Sequence, residues 1–217
     1  MISIPKLTAT VFFLALLHIH GYALTPDEVF EKVKDEVFVV RTLGIQGKLK
    51  KQGSGVLISS GRVVTNYHVV KGGVSFEVGQ GKQTFPATIN AYDEDKDICL
   101  LTVNGIKAIP VQIRNAATLK VGDPVYAVGA PPGVQLYLSK GVVGKLRGEP
   151  PPIIESTAPI FPGSSGGGLF DAEGRLVGLT TAKLKDGQNH YIAVPAEWII
   201  EIQSGRQPAI GGDMHRK

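Results

Sequence analysis

The chain of 217 residues contains one cysteine and one tryptophan. A single cysteine cannot close an internal disulfide, so the fold must rest on its core rather than on covalent staples. The sequence has no CxxC pair, no HxxxH pair and no acidic ladder with calcium-loop spacing, so it offers no metal motif, and neither a metal nor a cofactor is expected. Charged residues make up only 19%. The 23 basic residues only slightly outnumber the 19 acidic ones and are scattered, with Lys48, Lys50 and Lys51 as the one short cluster. A nucleic-acid partner needs a basic face of some extent, so none is expected. No apolar stretch approaches the roughly 20 residues that span a bilayer. The Ala, Glu, Lys and Leu bias of a long coiled coil is also missing. What the chain does have is glycine (27) and proline (14), spread without period, beside 43% hydrophobic residues. That combination describes a packed core interrupted by many turns.

The N-terminus reads as an export signal. Lys6 is the only charge before Asp27, Leu7 to Leu17 is apolar apart from two threonines, and Gly21-Tyr22-Ala23 places small residues three and one before a cut. Residues 1–23 are therefore expected to be removed, leaving an exported protein, periplasmic or extracellular, with no stable membrane insertion. An uncleaved anchor is the alternative.

Thr25-Pro26-Asp27-Glu28 opens a short helix, with Thr25 as cap, Pro26 at the first helical position and Glu28 reaching back. The pattern then turns to strands. Val37 to Leu43, Gly55 to Ser59, Arg62 to Thr65, Val74 to Val78, Thr84 to Ala91 and Asp97 to Val103 form one set. Residues 104–124 read as a linker with one short strand. Pro124 to Val128, Gln135 to Lys145, Ile153 to Ser156, Gly168 to Phe170, Leu176 to Lys183 and His190 to Val194 form the second set. Pro195 to Gln203 reads as a closing helix, with Trp198, Ile199 and Ile202 on one face. The expectation is an all-β protein of two six-stranded barrels: an N-terminal helix over 24–36, a first barrel over 37–110, a second barrel and C-terminal helix over 111–203, and a flexible tail over 204–217. Cys99, in the apolar run Ile98-Cys99-Leu100-Leu101, reads as a buried structural residue.

Three short segments carry chemistry. Pro162-Gly163-Ser164-Ser165-Gly166-Gly167 surrounds a serine with glycines, whose conformational freedom lets the N–H groups of Gly163 and Ser165 converge on one developing negative charge. Thr65-Asn66-Tyr67-His68 sets a histidine just past a strand end. In Asp93-Glu94-Asp95-Lys96-Asp97, Asp97 is pressed directly against the apolar strand that follows, where a carboxylate can fix an imidazole tautomer. The order His68, Asp97, Ser165 matches one known order of a nucleophile–base–acid triad, with two members in the first barrel and one in the second.

These motifs resemble the trypsin-like serine proteases of the chymotrypsin fold, and most closely their HtrA/Deg branch. Thr65 to Val70 is similar to its TNxHVV, Asp95 to Leu101 to its DxxxDLAVL-type strand, Gly129-Ala130-Pro131-Pro132-Gly133 to its GxPxG, Gly163 to Leu169 to GNSGGPL, and Ile192 to Pro195 to its FAIP strand end. The resemblance implies a serine endopeptidase that works through an acyl-enzyme, with His68 as general base, Asp97 as its orienting acid, Ser165 as nucleophile, and the Gly163 and Ser165 N–H groups as oxyanion hole. It implies polypeptide substrates, unfolded proteins among them. Ser164 stands where the branch has Asn, Gly168 where it has Pro, Thr157 where it often has Asp, and Phe161 where it has Asn. Residues 204–217 leave no room for a PDZ domain, so peptide-gated activation and cage assembly are not carried over. The alternative reading is a binding or chaperone-like module that keeps the protease fold.

By the same resemblance the primary pocket is walled by Thr157, Pro159 and Ile160, by Thr181, and by His190. No carboxylate stands at its base, so an arginine or lysine before the scissile bond (P1) would be buried unpaired, and a small or medium aliphatic P1 is expected. His190 either faces solvent or points into this pocket, where it could pair with an acidic P1.

Overall fold

A computed structural model of the chain describes residues 23–133, 136–183 and 190–204. Residues 1–22, which carry most of the expected leader, lie outside the described residues, as does the expected tail from 205 onward. Among the described residues no helix is long and apolar enough to cross a membrane.

Helix α1 (Pro26–Val33) begins as its sequence dictates. Glu28 N–H donates to Thr25 Oγ1 at 3.3 Å, and Thr25 N–H donates to Glu28 Oε2 at 2.8 Å, a reciprocal cap. Val29 and Val33, four residues apart and so on one face, are both buried. A 3-10 turn, Lys34–Glu36, leads into the first barrel.

That barrel closes in the order β1-β2-β3-β6-β5-β4, all neighbours antiparallel. Its strands are β1 (Val37–Leu43), β2 (Leu49–Ser59), β3 (Arg62–Thr65), β4 (Ser75–Gln80), β5 (Gln83–Asp93) and β6 (Ile98–Val103), with the short helix α2 (Tyr67–Val70) after β3. The second barrel closes as β10-β11-β12-β9-β8-β7. It is built from β7 (Pro124–Gly129), β8 (Tyr137–Arg147), β9 (Ile153–Ser156), β10 (Gly168–Phe170), β11 (Leu176–Lys183) and β12 (Tyr191–Pro195), and is followed by α3 (Glu197–Gln203). The fold is thus all-β, with two six-stranded barrels of the chymotrypsin type.

The period-2 alternation of β1 divides its side chains between two cores. Phe38 and Val40 point into the first barrel, beside Leu57, Val63, Cys99 and Leu101. Val37 points the other way, into a seam between the barrels. There Val56, Val64, Ile98 and Leu100 from the first barrel meet Val128, Phe170, Leu176 and Leu179 from the second. Val29 and Val33 of α1 and Ile199 of α3 fill the same seam. A fully buried side chain of this size contributes about 1.5–3 kcal/mol, so the apolar seam is the main attachment between the two halves. Cys99 is buried in the first barrel, and burial pushes its thiol up to about 12, consistent with a structural role.

Two expectations shift. Strand β2 begins at Leu49 rather than Gly55, since pairing with β1 carries it through the exposed Lys50 and Lys51. The short strand expected within 104–124 reduces to one parallel bridge, Ile113 to Leu176, and a 3-10 turn at Ala116–Thr118. The buried Asp171 beyond β10 holds the neighbouring turn. It accepts from the Glu173 and Arg175 N–H groups at 3.0 and 2.9 Å, and from the Arg175 and Arg114 guanidinium groups at 2.8 and 3.2 Å. Burial raises its pKa, but these donors outweigh burial and hold the carboxyl below the usual carboxylate range.

Candidate active site

Of the three residues singled out from the sequence, His68 and Asp97 are in direct contact, and Ser165 is linked to Asp97 through Thr181. His68 lies on α2, just past the end of β3, and Asp97 immediately precedes β6, the strand paired with β3. Asp97 Oδ2 lies 2.7 Å from His68 Nδ1, and its Oδ1 accepts the His68 backbone N–H at 2.9 Å. The Asp97 carbonyl accepts from the Asn66 amide at 2.9 Å and from Tyr67 N–H at 3.2 Å, which ties the strand-end turn to the β6 turn. Asp97 has a φ of +53°, a left-handed conformation that Asp tolerates better than most side chains.

The Asp97 carboxylate assigns the tautomer of His68. A carboxylate on Nδ1 requires the proton there and leaves Nε2 as the basic atom. Burial raises the Asp97 pKa, but the His68 ring, the His68 N–H and the Thr181 hydroxyl together hold it below the usual carboxylate range. The His68 side chain is 49% exposed, so its outer edge is open to solvent.

Ser165 stands in the turn before β10. Gly163 has a φ of +90°, and a β-carbon on it would come within 2.6 Å of Pro132 Cδ, so only glycine fits. A β-carbon on Gly166 (φ +84°) would come within 2.3 Å of the Ser54 carbonyl. Among the described residues, the backbone N–H groups of Gly163 and Ser165 donate to no protein acceptor, whereas Ser164, Gly166 and Gly167 each use theirs. The Ser165 hydroxyl donates to the Thr181 carbonyl at 3.1 Å, and no hydrogen bond joins it to His68.

Two residues do work that sequence patterning did not assign them. Thr181, expected as a pocket wall, donates its hydroxyl to Asp97 Oδ2 at 2.7 Å while its carbonyl takes the Ser165 hydroxyl, so it links both halves of the site. Ser54 of β2 was not singled out at all. Its hydroxyl donates to the Gly163 carbonyl and accepts from Ala130 N–H, both at 2.8 Å, and its N–H donates to the Ser165 carbonyl at 2.8 Å. A lone serine in a strand carries no distinctive signal; only its place after Gln52-Gly53 on the inter-barrel face reveals it. Ser54→Ala should lower kcat roughly ten- to a hundred-fold with little change in KM, because the Gly163 peptide loses its anchor while the substrate contacts remain. Steady-state kinetics on one peptide substrate check this.

The other expected pocket residues are placed as follows. Thr157 Oγ1 accepts from Val142 N–H at 3.0 Å, the Pro159 carbonyl accepts the Ser139 hydroxyl, and Ile160 packs on the second-barrel core. His190 Nδ1 lies 3.6 Å from Oε2 of Glu155, a buried carboxylate that the Arg147 guanidinium also approaches. Glu155 pairs with Ile192, next to the Ala193–Ile154 pair that points into the barrel core, and so faces away from that core. Among the described residues nothing joins His190 to Ser165 or Thr181.

The family model of the trypsin-like peptidase domain matches residues 53–179, which include His68, Asp97 and Ser165. The chain is 36% identical over 167 residues to Protease Do-like 1, chloroplastic, of Arabidopsis thaliana, covering 69% of this chain and 36% of that protein. It is 33% identical over 158 residues to the probable periplasmic serine endoprotease DegP-like of Chlamydia pneumoniae, covering 69% and 32%. The solved serine endoprotease from Yersinia pestis superposes with a TM-score of 0.76 at 21% identity, covering 84% of this chain and 66% of that one, which shows the shared fold. The chain spans about a third of the length of the two curated relatives. With more than half of its length matched and with the barrels and strand ends described above, the chain belongs to the trypsin-like peptidase domain family.

Proposed function

We propose that the protein is an exported serine endopeptidase that cleaves polypeptides, unfolded ones among them, through the triad His68, Asp97 and Ser165. The observation that carries this reading is the Asp97–His68 pair at 2.7 Å, facing a serine turn in which the Gly163 and Ser165 N–H groups have no protein acceptor. In the reaction, Ser165 Oγ attacks the scissile carbonyl carbon as His68 Nε2 takes its proton. The carbonyl oxygen becomes an oxyanion held by the two free N–H groups. His68 then gives its proton to the leaving amine as the C–N bond breaks, and water repeats the sequence on the acyl-enzyme. Thr157, Pro159, Ile160 and Thr181 wall the pocket for a small or medium aliphatic P1 residue, and His190, which lies toward Glu155, is read as facing away from it. Export rests on the leader reading of residues 1–23, and the DegP-like relative is itself named periplasmic.

A second reading, a binding module with the protease fold, draws on the Ser165 hydroxyl being turned to Thr181 rather than to His68. Fluorophosphonate labelling separates the two. An activated Ser165 displaces fluoride and forms one phosphonyl adduct per chain, which mass spectrometry maps to the peptide carrying Ser165. Folded protein that takes up no label and cleaves no casein would establish the binding module instead.

A further inference from the structure

A cleft of about 560 Å³ opens on the outer face of the first barrel, and its lining includes none of His68, Asp97, Ser165 or Thr181. Its floor is the outer face of β1 and β4, with Val39, Arg41 and Gly79. Its walls are Gln52 of β2, the end of α1 with the following turn, and Gly133 with Leu136 of the β7–β8 connection. The volume falls within the range of ligand pockets.

Two of its walls touch the catalytic turn. Gln52 is two residues before Ser54, whose N–H holds the Ser165 carbonyl, and the Gln52 amide donates to the Ala130 carbonyl at 3.4 Å. The segment Ala130 to Pro132 packs against Gly163. On its other side the serine turn is fastened to β11, through Gly166 N–H to the Thr180 carbonyl and Ser165 Oγ to the Thr181 carbonyl. The serine turn is therefore tied to the cleft lining through β2 and to β11 through separate bonds. A substrate whose acyl half lies along β11, next to the pocket residues, has the β2 side of the turn, where the cleft opens, left for its leaving-group half.

Arg41 gives the cleft its chemistry. Its guanidinium lies over Gly79, where a β-carbon would come within 2.8 Å of it, so the missing side chain makes its room. The register sets Glu77 opposite Arg41, yet no ion pair within 4.0 Å forms between them or to any other described carboxylate. The other cation lining the cleft, Lys34, is engaged by Glu31 at 2.5 Å. Asp35, the one carboxylate in the lining, sits near the start of β1, and Arg41 lies four residues beyond Val37, about 13 Å along the strand.

We propose that this cleft receives the leaving-group side of the substrate and that Arg41 reads an acidic side chain two to four residues after the scissile bond. The proposal rests on the serine-endopeptidase reading. Two residues along β2 from Ser54 cover about 7 Å and the perpendicular step across to β1 about 5 Å, about 9 Å between them, which two to three extended residues span before the length of the Arg41 side chain is added. Asp35 disfavours a second acid deeper in the cleft, so one carboxylate in that window is the preferred pattern.

The test uses otherwise identical peptides in which one glutamate moves through the five positions after the scissile bond, beside a p-nitroanilide that ends at P1 and cannot reach the cleft. Glutamate at the second to fourth position should raise kcat/KM roughly five- to ten-fold over alanine. Arg41→Gln should remove that preference and Arg41→Lys should keep part of it, with the anilide rate unchanged in both. A flat profile, or a preference that survives in Arg41→Gln, overturns the proposal. Anisotropy of the same peptides on the Ser165→Ala protein compares them without turnover. An anilide left uncut by wild type therefore counts against the peptidase reading, while the binding profile still decides the role of Arg41.

Discussion

Ser165→Ala and His68→Ala should each leave both barrels intact and lower peptide hydrolysis by about 10⁴-fold or more. Neither side chain contributes to the core. The Ser165 hydroxyl makes one bond, to the Thr181 carbonyl, and the His68 ring is about half exposed on a four-residue helix. Truncating them therefore removes chemistry and little else. The double variant should be scarcely slower than either single one, because a nucleophile without its base and a base without its nucleophile are equally idle. Circular dichroism and thermal melting should overlay wild type while turnover disappears. Casein cleaved by Ser165→Ala at the wild-type rate would remove Ser165 from the mechanism.

Asp97→Asn should cost about 10⁴-fold in kcat. Asparagine tolerates the φ of +53° as well as aspartate does, so the backbone stays put. The side-chain oxygen can still take the His68 N–H, but the new NH2 then faces His68 Nδ1 and the Thr181 hydroxyl. An amide donor turns Nδ1 into an acceptor, so the neutral ring carries its proton on Nε2, where the base should be. The same variant has a signature in stability. The Asp97 carboxyl sits below the usual carboxylate range when folded, so its ionised pairing stabilises the protein above the unfolded-state value. That contribution is lost as the pH falls through the lowered folded value. Asp97→Asn, which has no proton to gain, should unfold less steeply with acid than wild type. Rate measurements together with acid titration of the melting temperature check both effects, and wild-type turnover by the variant would rule out the orienting role.

The elements that could be read from the sequence were those whose pattern matches their burial. β3, β9, β10 and β11 occupy the spans expected of them, since each is a short β-branched or apolar run between turn residues. The first six residues of β2 were hidden because Leu49, Lys50 and Lys51 are exposed and owe their strand geometry to the β1 ladder alone. At the site, His68, Asp97 and Ser165 stood out because their chemistry depends on residue type. Thr181 and Ser54 did not. A threonine or serine hydroxyl takes its role from what it faces, and what it faces here is contributed by the other barrel. The cleft at Arg41 was equally invisible, being made by a glycine three strands later in the sequence.

The seam makes this molecule resemble a dimer folded from one chain. Each barrel satisfies its own backbone ladder, so separating the two would break few backbone hydrogen bonds and mainly expose apolar side chains. His68 and Asp97 belong to one half and Ser165 to the other, so activity through the proposed triad would depend on how well the halves dock. Losing function is then less costly than losing structure: a partial parting of the halves would silence the protein with both barrels still folded. Two helices oppose that parting. Val29 and Val33 of α1 and Ile199 of α3 wedge into the same joint, so the first and last helices among the described residues act as the clasp that keeps the two halves in register.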